Sequence, residues 1–319
     1  MIEKLMENRV FRTYRGGARI DRFLGKATAE ISHFPEDWTA SFTRAFNPGR
    51  EELVEGYGRT LDGTEIRSLA STAPRCLVKL LDSEERLVIQ VHPTKEFAKQ
   101  FFNSEFGKTE CWYFLDCNED ACVYLGFREG ITPEAWRGAF DRQDINTMLS
   151  MLHRIPVQRG DCVFVGGGVP HAIGKGCFLL EVQEPTDLMG VVERVTPSGR
   201  VLPEIKLHGG IGIDQMMKMF SYEGCTKEEI ERRFCVQPIE EAPGVLRLIG
   251  ERCTECFSLV ELTSEVIHQP DRATGVIVVT EGEGWLNGVS VKAGDRLFFD
   301  AEPTLSLSST NVCRVLLCC

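Results

Sequence analysis

The residues best suited to chemistry in this chain are four polar side chains placed in or beside short apolar segments. Gln90 and His92 lie two positions apart in the run Leu87-Val-Ile-Gln-Val-His-Pro93, so on a strand their side chains point to the same face. Glu110 follows after a loop, and a later candidate strand carries His171. An amide oxygen, two imidazoles and a carboxylate that converge on one point suit a borderline divalent cation, zinc first. The sequence therefore predicts a metal site at these residues.

The segments around these residues have the pattern of β-strands, interrupted once by helices. Short β-branched and aromatic runs separated by polar turns predict strands; they are 76–81, 87–91, 111–115, 121–127 and further strands between 157 and 182. Between them, Thr132-Pro-Glu combines an N-cap, a proline at the first helical position and an early acid. This predicts a helix to about Arg142, and a second from Asp144 to about His153. We interpret 132–153 as a helical insertion between strands.

The second half repeats part of the first. Gly160-Asp161 is followed by an apolar strand and by His171, and Gly294-Asp295 is followed by an apolar strand and by Leu305 at the same spacing. The second copy thus has a leucine where the first has a candidate ligand. From Val245 onward, short strands at regular spacing with Gly-bearing turns are typical of a jelly roll. The expected fold is mainly β, with two related jelly-roll barrels and a metal only in the first.

Composition limits the possible partners. The 319 residues carry a formal net charge of −11, which makes nucleic acid an unsuitable partner and gives no attraction to an anionic membrane. The charged N-terminus does not resemble a signal peptide, so a cytoplasmic protein is expected. The 13 cysteines are interpreted mainly as reduced, packed thiols. Cys253 and Cys256 form a CxxC without a partner pair at zinc-ribbon spacing, and are interpreted as ordinary thiols.

Three motifs together resemble a known family. Gly160-Asp161 with Gly168 and His171 is similar to the second conserved motif of the cupins. Gln90-x-His92-Pro93, Gly107-Lys108-Thr109-Glu110 and His171-Ala-Ile-Gly174 look like the zinc site of type I mannose-6-phosphate isomerases (phosphomannose isomerases), in their short bacterial form with two cupin barrels. On this basis we divide the chain into a catalytic cupin domain at 1–235, with the insertion, and a degenerate cupin domain without metal at 236–319.

The resemblance implies one zinc ion per chain, held by Gln90, His92, Glu110 and His171. It implies interconversion of mannose 6-phosphate and fructose 6-phosphate through a cis-enediol, with a small-molecule sugar phosphate as the partner and a monomer or homodimer as the assembly. Lys108 would lie near the sugar phosphate. Glu181, ten residues after His171, holds the place of the family's active-site glutamate and is the candidate acid/base.

The chain departs from the family at two positions. The serine commonly found two residues before the family's glutamine is Val88 here. The family has an active-site arginine ten residues beyond the glutamate, and this chain has Val191 there. Arg194 is the nearest arginine, but its odd offset turns it to the opposite strand face unless a bulge at Gly190 corrects the register. Two alternatives therefore stay open: a metal-bound sugar-phosphate binding protein with impaired catalysis, and a cupin enzyme that acts on another substrate.

Overall fold

Antiparallel strand pairs make up most of the structure, a computed structural model that describes residues 1–319. The strands are β1 (Ile2–Lys4), β2 (Arg9–Val10), β3 (Glu36–Thr39), β4 (Leu77–Ser83), β5 (Gln90–Val91), β6 (Glu110–Cys117), β7 (Cys122–Phe127), β8 (Leu152–Pro156), β9 (Cys162–Val165), β10 (His171–Ile173), β11 (Cys177–Gln183), β12 (Gly190–Val191), β13 (Ile239–Ala242), β14 (Val245–Ile249), β15 (Leu259–Thr263), β16 (Val266–His268), β17 (Thr274–Glu281), β18 (Glu283–Leu286), β19 (Val289–Lys292), β20 (Arg296–Asp300), β21 (Leu305–Ser308) and β22 (Arg314–Cys318).

These strands form two pairs of sheets. In the first half, the order is β2-β3-β4-β11-β6-β9 in one sheet and β12-β5-β10-β7-β8 in the other. In the second half, it is β1-β20-β17-β22-β15-β14-β13 and β16-β21-β18-β19. Each pair encloses its own apolar core, represented by Trp112, Leu125 and Leu179 in the first and by Ile277 and Leu307 in the second. The predicted fold class, mainly β with two cupin-type barrels, is confirmed.

A third core joins the two barrels. It contains Val78 and Leu180 from the large sheet of the first barrel and Val276 and Leu316 from the large sheet of the second. The two large sheets therefore bury apolar faces against each other, which stabilises the pair as a unit.

The N-terminus crosses between the barrels. Strand β1 pairs with β20, with Ile2 opposite Phe299, so the first residues of the chain complete the large sheet of the second barrel. The predicted domain boundary at 235/236 stays a prediction. It assigns β1 to the first barrel, whereas β1 lies in the large sheet of the second barrel.

The two copies of the Gly-Asp sequence form the same turn. Gly160 and Gly294 have φ values of +92° and +91°, a left-handed conformation that glycine adopts without strain. In each turn the following aspartate accepts a backbone hydrogen bond from the residue three positions earlier, Asp161 from Gln158 and Asp295 from Lys292. The turns lead into β9 and β20, as the sequence repeat predicts.

Eight α-helices connect the strands, with 3₁₀ turns at Glu51–Leu53 and Met217–Met219. The helices are α1 (Ala18–Phe23), α2 (Ile66–Leu69), α3 (Lys95–Phe102), α4 (Pro133–Arg142), α5 (Ile145–Ser150), α6 (Glu204–His208), α7 (Ile213–Met216) and α8 (Lys227–Phe234). Thr132 caps α4, as predicted. The predicted end of the second inserted helix at His153 is wrong, because α5 ends at Ser150 and His153 lies in β8.

None of these helices combines the length and the apolar character that a membrane span requires. The cysteines are all free, and most of them are buried. The predicted cytoplasmic location and monomer or homodimer state stay predictions.

Candidate active site

Three strands of the first barrel bring the predicted ligands together. Gln90 lies in β5 directly opposite His171, the first residue of β10, and paired residues of neighbouring strands point to the same face. His92 follows β5, and Glu110 begins β6. The strand order thus brings residues as distant in sequence as Gln90 and His171, 81 positions apart, into one site.

Close backbone packing holds the loops that carry these residues. A Cβ atom on Gly107 would lie 2.7 Å from the carbonyl oxygen of Pro93, so only glycine fits there. The amide of Lys108 donates to the same carbonyl at 3.0 Å, and the amide of Gly168 donates to the carbonyl of His92 at 2.8 Å. The loops before Glu110 and His171 are therefore both tied to the segment that follows β5.

Backbone carbonyls orient both imidazole rings. Nδ1 of His92 lies 3.0 Å from the carbonyl oxygen of Leu188, and Nδ1 of His171 lies 2.9 Å from that of Val169. Each Nδ1 carries the proton in such a contact, which leaves the lone pair on Nε2. Both Nε2 atoms point to Glu110, at 3.2 Å and 3.3 Å from its two carboxylate oxygens. This orientation by a second contact is common for histidines that bind metals.

The cluster fits a divalent cation. His92, Glu110 and His171 are at most 1% exposed, and their possible ligand atoms lie within 4.8 Å of one another. Nε2 of His171 and both oxygens of Glu110 are buried without a hydrogen-bond partner, which is costly for polar atoms unless another group binds them. Two imidazole nitrogens and a carboxylate form a zinc-type donor set, and Gln90 adjoins it through its pairing with His171.

The protonation states also fit a metal. Burial lowers the pKa of His92 to about 4, and the charge of Lys108 adds to this effect; burial also lowers the pKa of His171. Burial alone would raise the pKa of Glu110, but the neighbouring His92 and Lys108 hold it below its usual range. At pH 7 the imidazoles are therefore neutral and the carboxyl is ionised, the forms that bind metals.

Lys108 lies against the cluster. Its Nζ atom is 2.9 Å from Nε2 of His92 and 3.5 Å from Glu110. The ammonium therefore donates a hydrogen bond to the same lone pair that the imidazole would offer to a cation. For a metal to bind His92, the Lys108 side chain would have to turn away from it. Burial lowers the pKa of Lys108.

Gln90, Lys108 and Glu181 line one cavity, which we call the inner cavity and which has a volume of about 40 Å³. Its wall includes four cationic side chains and three carboxylates; they are Arg12, Lys79, Lys108 and Lys206, with Glu36, Glu181 and Asp187. In a chain with a net charge of −11, this is a local excess of positive charge that suits a small anion. Glu181 lies in β11 and accepts a hydrogen bond of 2.8 Å from Lys79.

Known proteins resemble this chain in sequence and in fold. No protein-family model matches it. Over 115 residues it is 41% identical to the mannose-6-phosphate isomerase ManA of Bacillus subtilis, a match that covers 35% of the chain and only 34% of that relative's length. The crystal structure of the mannose 6-phosphate isomerase from Bacillus subtilis has a TM-score of 0.73 at 21% identity, over 99% of both chains. The resemblance to mannose-6-phosphate isomerases is confirmed.

The likeness in fold extends over almost the whole chain. A mannose 6-phosphate isomerase solved with zinc and yttrium bound has a TM-score of 0.70 at 14% identity, and the match covers 99% of this chain and 98% of that one. The sequence match to ManA is much shorter, because it covers only about a third of that relative's length. The shared feature over the full length is therefore the fold, within which the buried His92–Glu110–His171 cluster lies.

The residue at the position of the family arginine, Val191, has apolar surroundings in the structure. Val191 lies in β12 opposite Gln90, and the pairing continues through Gly190 without a register shift. Arg194 is exposed, its guanidinium lies 4.9 Å from the ring centre of Phe140, and it does not line the cavity. Strand β12 ends at Val191, and the segment after it leaves Arg194 outside the cavity. The structure thus does not support the predicted role of Arg194 in the site.

A different arginine reaches the cavity, and the sequence analysis missed it. Arg12 follows β2 and donates to Glu36 at 3.0 Å and to both oxygens of Asp187 at 3.0 Å. Glu36 also accepts hydrogen bonds from Tyr14 and Trp38. This buried network attaches the N-terminal segment to the loop after β11. No local pattern marks Arg12, because its partners are far away in sequence.

The network predicts a stability loss in acid. Burial opposes ionisation of Glu36, but Arg12 and Lys79 outweigh it and lower the pKa to about 2. Since the pKa of an unfolded glutamate is about 4.5, this carboxyl stabilises the fold fully above pH 4.5, and the stabilisation disappears as the pH falls towards 2. The shift corresponds to roughly 3 kcal/mol. We expect Glu36→Gln to lose at least this free energy of unfolding at pH 7, because Arg12 loses a buried partner.

Urea unfolding between pH 2.5 and 7 measures this loss. Wild type and the surface control Glu228→Gln should both lose stability below pH 4.5, and Glu36→Gln should lose distinctly less, because its amide does not titrate. An equal loss in all three proteins would rule out Glu36 as the source.

Proposed function

We propose that this protein is a zinc-dependent isomerase that interconverts mannose 6-phosphate and fructose 6-phosphate. The observation that carries the proposal is the buried cluster of His92, Glu110 and His171, whose ligand atoms point to one another beside a cavity that also contains Glu181. The shared fold and the partial sequence match with mannose-6-phosphate isomerases support the same assignment.

The metal of this proposal is one zinc ion per chain, held by Gln90, His92, Glu110 and His171. The unpartnered atoms of Glu110 and His171 support this set, and a structural relative was solved with zinc bound. When bound, zinc supplies a positive charge that positions the substrate oxygens and stabilises negative charge on them.

Glu181 is the proton-transfer group of this proposal. It would take the proton from C2 of the open-chain aldose, and the electrons of the broken C–H bond would form the double bond of the enediol. It would then return the proton to C1, while a second proton passes between the oxygens on C1 and C2. At 4% exposure, Glu181 is shielded from bulk water, which favours return of the proton to the substrate over exchange with solvent. Lys79 holds the carboxylate in place.

A second candidate function is sugar-phosphate binding with weak or no catalysis. The observation that favours it is Val191, which supplies no charge beside the reacting carbons. Loss of a group that stabilises a developing oxyanion typically costs about 10²–10³ in rate. A cupin enzyme with another substrate is the third candidate. In both cases the metal cluster and the cationic cavity would keep their binding roles.

A panel of hexose phosphates separates these candidates. We expect the zinc-loaded protein to convert mannose 6-phosphate and fructose 6-phosphate into each other faster than it converts any other hexose phosphate. Coupled assays would measure turnover and calorimetry would measure affinity. Affinity without turnover would favour the binding protein, and faster turnover of another compound would assign a different substrate.

A further inference from the structure

Beyond the metal cluster, the wall of the inner cavity contains a cation without a counter-ion. Of the four cationic side chains there, three have a carboxylate within 4 Å: Arg12 with Asp187, Lys79 with Glu181, and Lys108 with Glu110. Lys206 has no such partner. It lies in α6, is 6% exposed, and donates one hydrogen bond of 2.7 Å to the carbonyl oxygen of Phe46. An ammonium has three donors, so two of them have no protein acceptor.

Lys206 also connects two cavities. A second space, the outer cavity, has a volume of about 190 Å³ and shares Lys206, Asp187 and Met189 with the inner one. Its remaining wall includes Arg44, Phe46 and Phe102. The candidate metal ligands and Glu181 do not line the outer cavity. A molecule with its reacting end beside Glu181 would therefore extend past Lys206 into the outer cavity.

The position of Lys206 depends on Val191, the residue that replaces the family arginine. Val191 packs with Leu202 and Leu207 in a small apolar cluster, and Leu207 is the neighbour of Lys206 in α6. Val191 in β12 thus packs against the short helix α6, and α6 places Lys206 at the cavity.

We propose that Lys206 binds the phosphate group of the substrate. This inference rests on the proposed function for the identity of the sugar, but not for the phosphate itself. A phosphate on C6 is at the far end of the carbon chain from C1 and C2, which agrees with the arrangement of the two cavities. A phosphate dianion supplies the missing counter-charge and accepts the free donors of the ammonium.

The test compares Lys206→Met with wild type in two measurements. We expect the KM for mannose 6-phosphate and the inhibition constant of inorganic phosphate to rise together by about 30- to 100-fold, as for loss of a charge-assisted hydrogen bond, while kcat changes by only a few-fold. Affinity for mannose, which has no phosphate, should stay unchanged. Lys206→Arg should recover most of the phosphate affinity. The exposed lysine variant Lys218→Met is the matched control for the change in charge.

Stability separates a binding role from a structural one. Burial lowers the pKa of Lys206 to about 8, so below that pH the charged lysine destabilises the fold relative to the unfolded chain, in which the lysine keeps its ordinary pKa. Lys206→Met should therefore have a melting temperature equal to or above that of wild type, although it binds phosphate more weakly. A purely structural lysine would give the opposite change in melting temperature. Lys206→Gln repeats the test with a polar neutral side chain.

The pH dependence identifies the lysine that acts. Asp187, Arg12, Glu36 and Lys108 face Lys206; the pKa values of Asp187 and Glu36 are lowered and that of Arg12 is raised, so these three keep their charges near pH 8. Phosphate inhibition of wild type should weaken above pH 8, as the ammonium of Lys206 is lost. In Lys206→Arg most of the weakening should disappear, because arginine stays protonated, and any remainder comes from Lys108, whose pKa burial also lowers.

The outcomes are distinguishable from failure of the proposed function. If the zinc-loaded wild type does not convert mannose 6-phosphate, calorimetric binding of inorganic phosphate to wild type and Lys206→Met still tests the site. Unchanged phosphate affinity in a folded Lys206→Met protein would overturn the assignment. So would an equal loss of affinity for mannose and for mannose 6-phosphate.

Discussion

Replacing Glu181 by glutamine should lower kcat for mannose 6-phosphate by about 10³-fold, within the range for loss of a general acid–base group. The amide has nearly the same shape as the carboxylate but cannot accept the proton from C2. KM should change little, because the cavity keeps its cations. Transfer of deuterium from C2 of labelled mannose 6-phosphate to C1 should also fall below detection, since the same step is required.

A matched control separates this effect from the cost of breaking an ion pair. Glu261 lies in β15, is 7% exposed, and pairs with Arg314 at 2.9 Å, so Glu261→Gln removes a buried carboxylate that belongs neither to the metal cluster nor to the inner cavity. Both variants should lose some stability, but only Glu181→Gln should lose kcat. A Glu181→Gln enzyme with nearly full kcat would show that another group moves the proton.

Replacing His171 by alanine should remove the metal and the turnover together. The wild-type chain should bind about one zinc ion, and the variant less than a tenth of one at equal free zinc. A ligand present at 1,000 times its dissociation constant stabilises a fold by about 4 kcal/mol, which in a chain of this size corresponds to a shift in melting temperature of roughly 6 °C. A chelator should therefore lower the melting temperature of wild type but not that of His171→Ala.

His153 provides the control for this variant. It is also a buried histidine in contact with a backbone carbonyl, with Nε2 2.8 Å from the oxygen of Cys225, but it lies outside the cluster. His153→Ala should be less stable and still respond to chelator. If His171→Ala kept zinc and the chelator response, the proposed ligand set would be wrong.

Local signals account for what the sequence analysis predicted correctly. Thr132 caps α4 by accepting a hydrogen bond from the amide of Ala135. Such contacts involve residues three positions apart, so they are visible in the sequence. The repeated Gly-Asp turns and the spacing of the metal-cluster motifs are local in the same sense.

The errors arise where distant parts of the chain decide the structure. The apolar run at Met151 and Leu152 continues the helical pattern of α5, but Leu152 pairs with Phe127 in a sheet, and this tertiary pairing overrides local propensity. Strand β1 has only three residues and is stabilised by its pairing with β20, which no nearby residue reveals.

The cationic wall of the cavity could not be predicted for the same reason. Arg12 meets Asp187 across 175 positions of sequence, and Lys206 meets Phe46 across 160. Helix α6 has five residues, too few for a helical periodicity to show in the sequence. Arg194 lies close to Val191 in sequence, but β12 ends at Val191 and Arg194 is exposed outside the cavity.

The most direct test of the account is proton NMR of mannose 6-phosphate with the zinc-reconstituted protein, beside the same protein after chelation. The account predicts that signals of fructose 6-phosphate appear with zinc, disappear from the chelated sample, and return when zinc is added back. Equal conversion in the chelated sample would contradict the role of the metal. Absence of conversion by a folded protein with zinc bound would contradict the isomerase assignment.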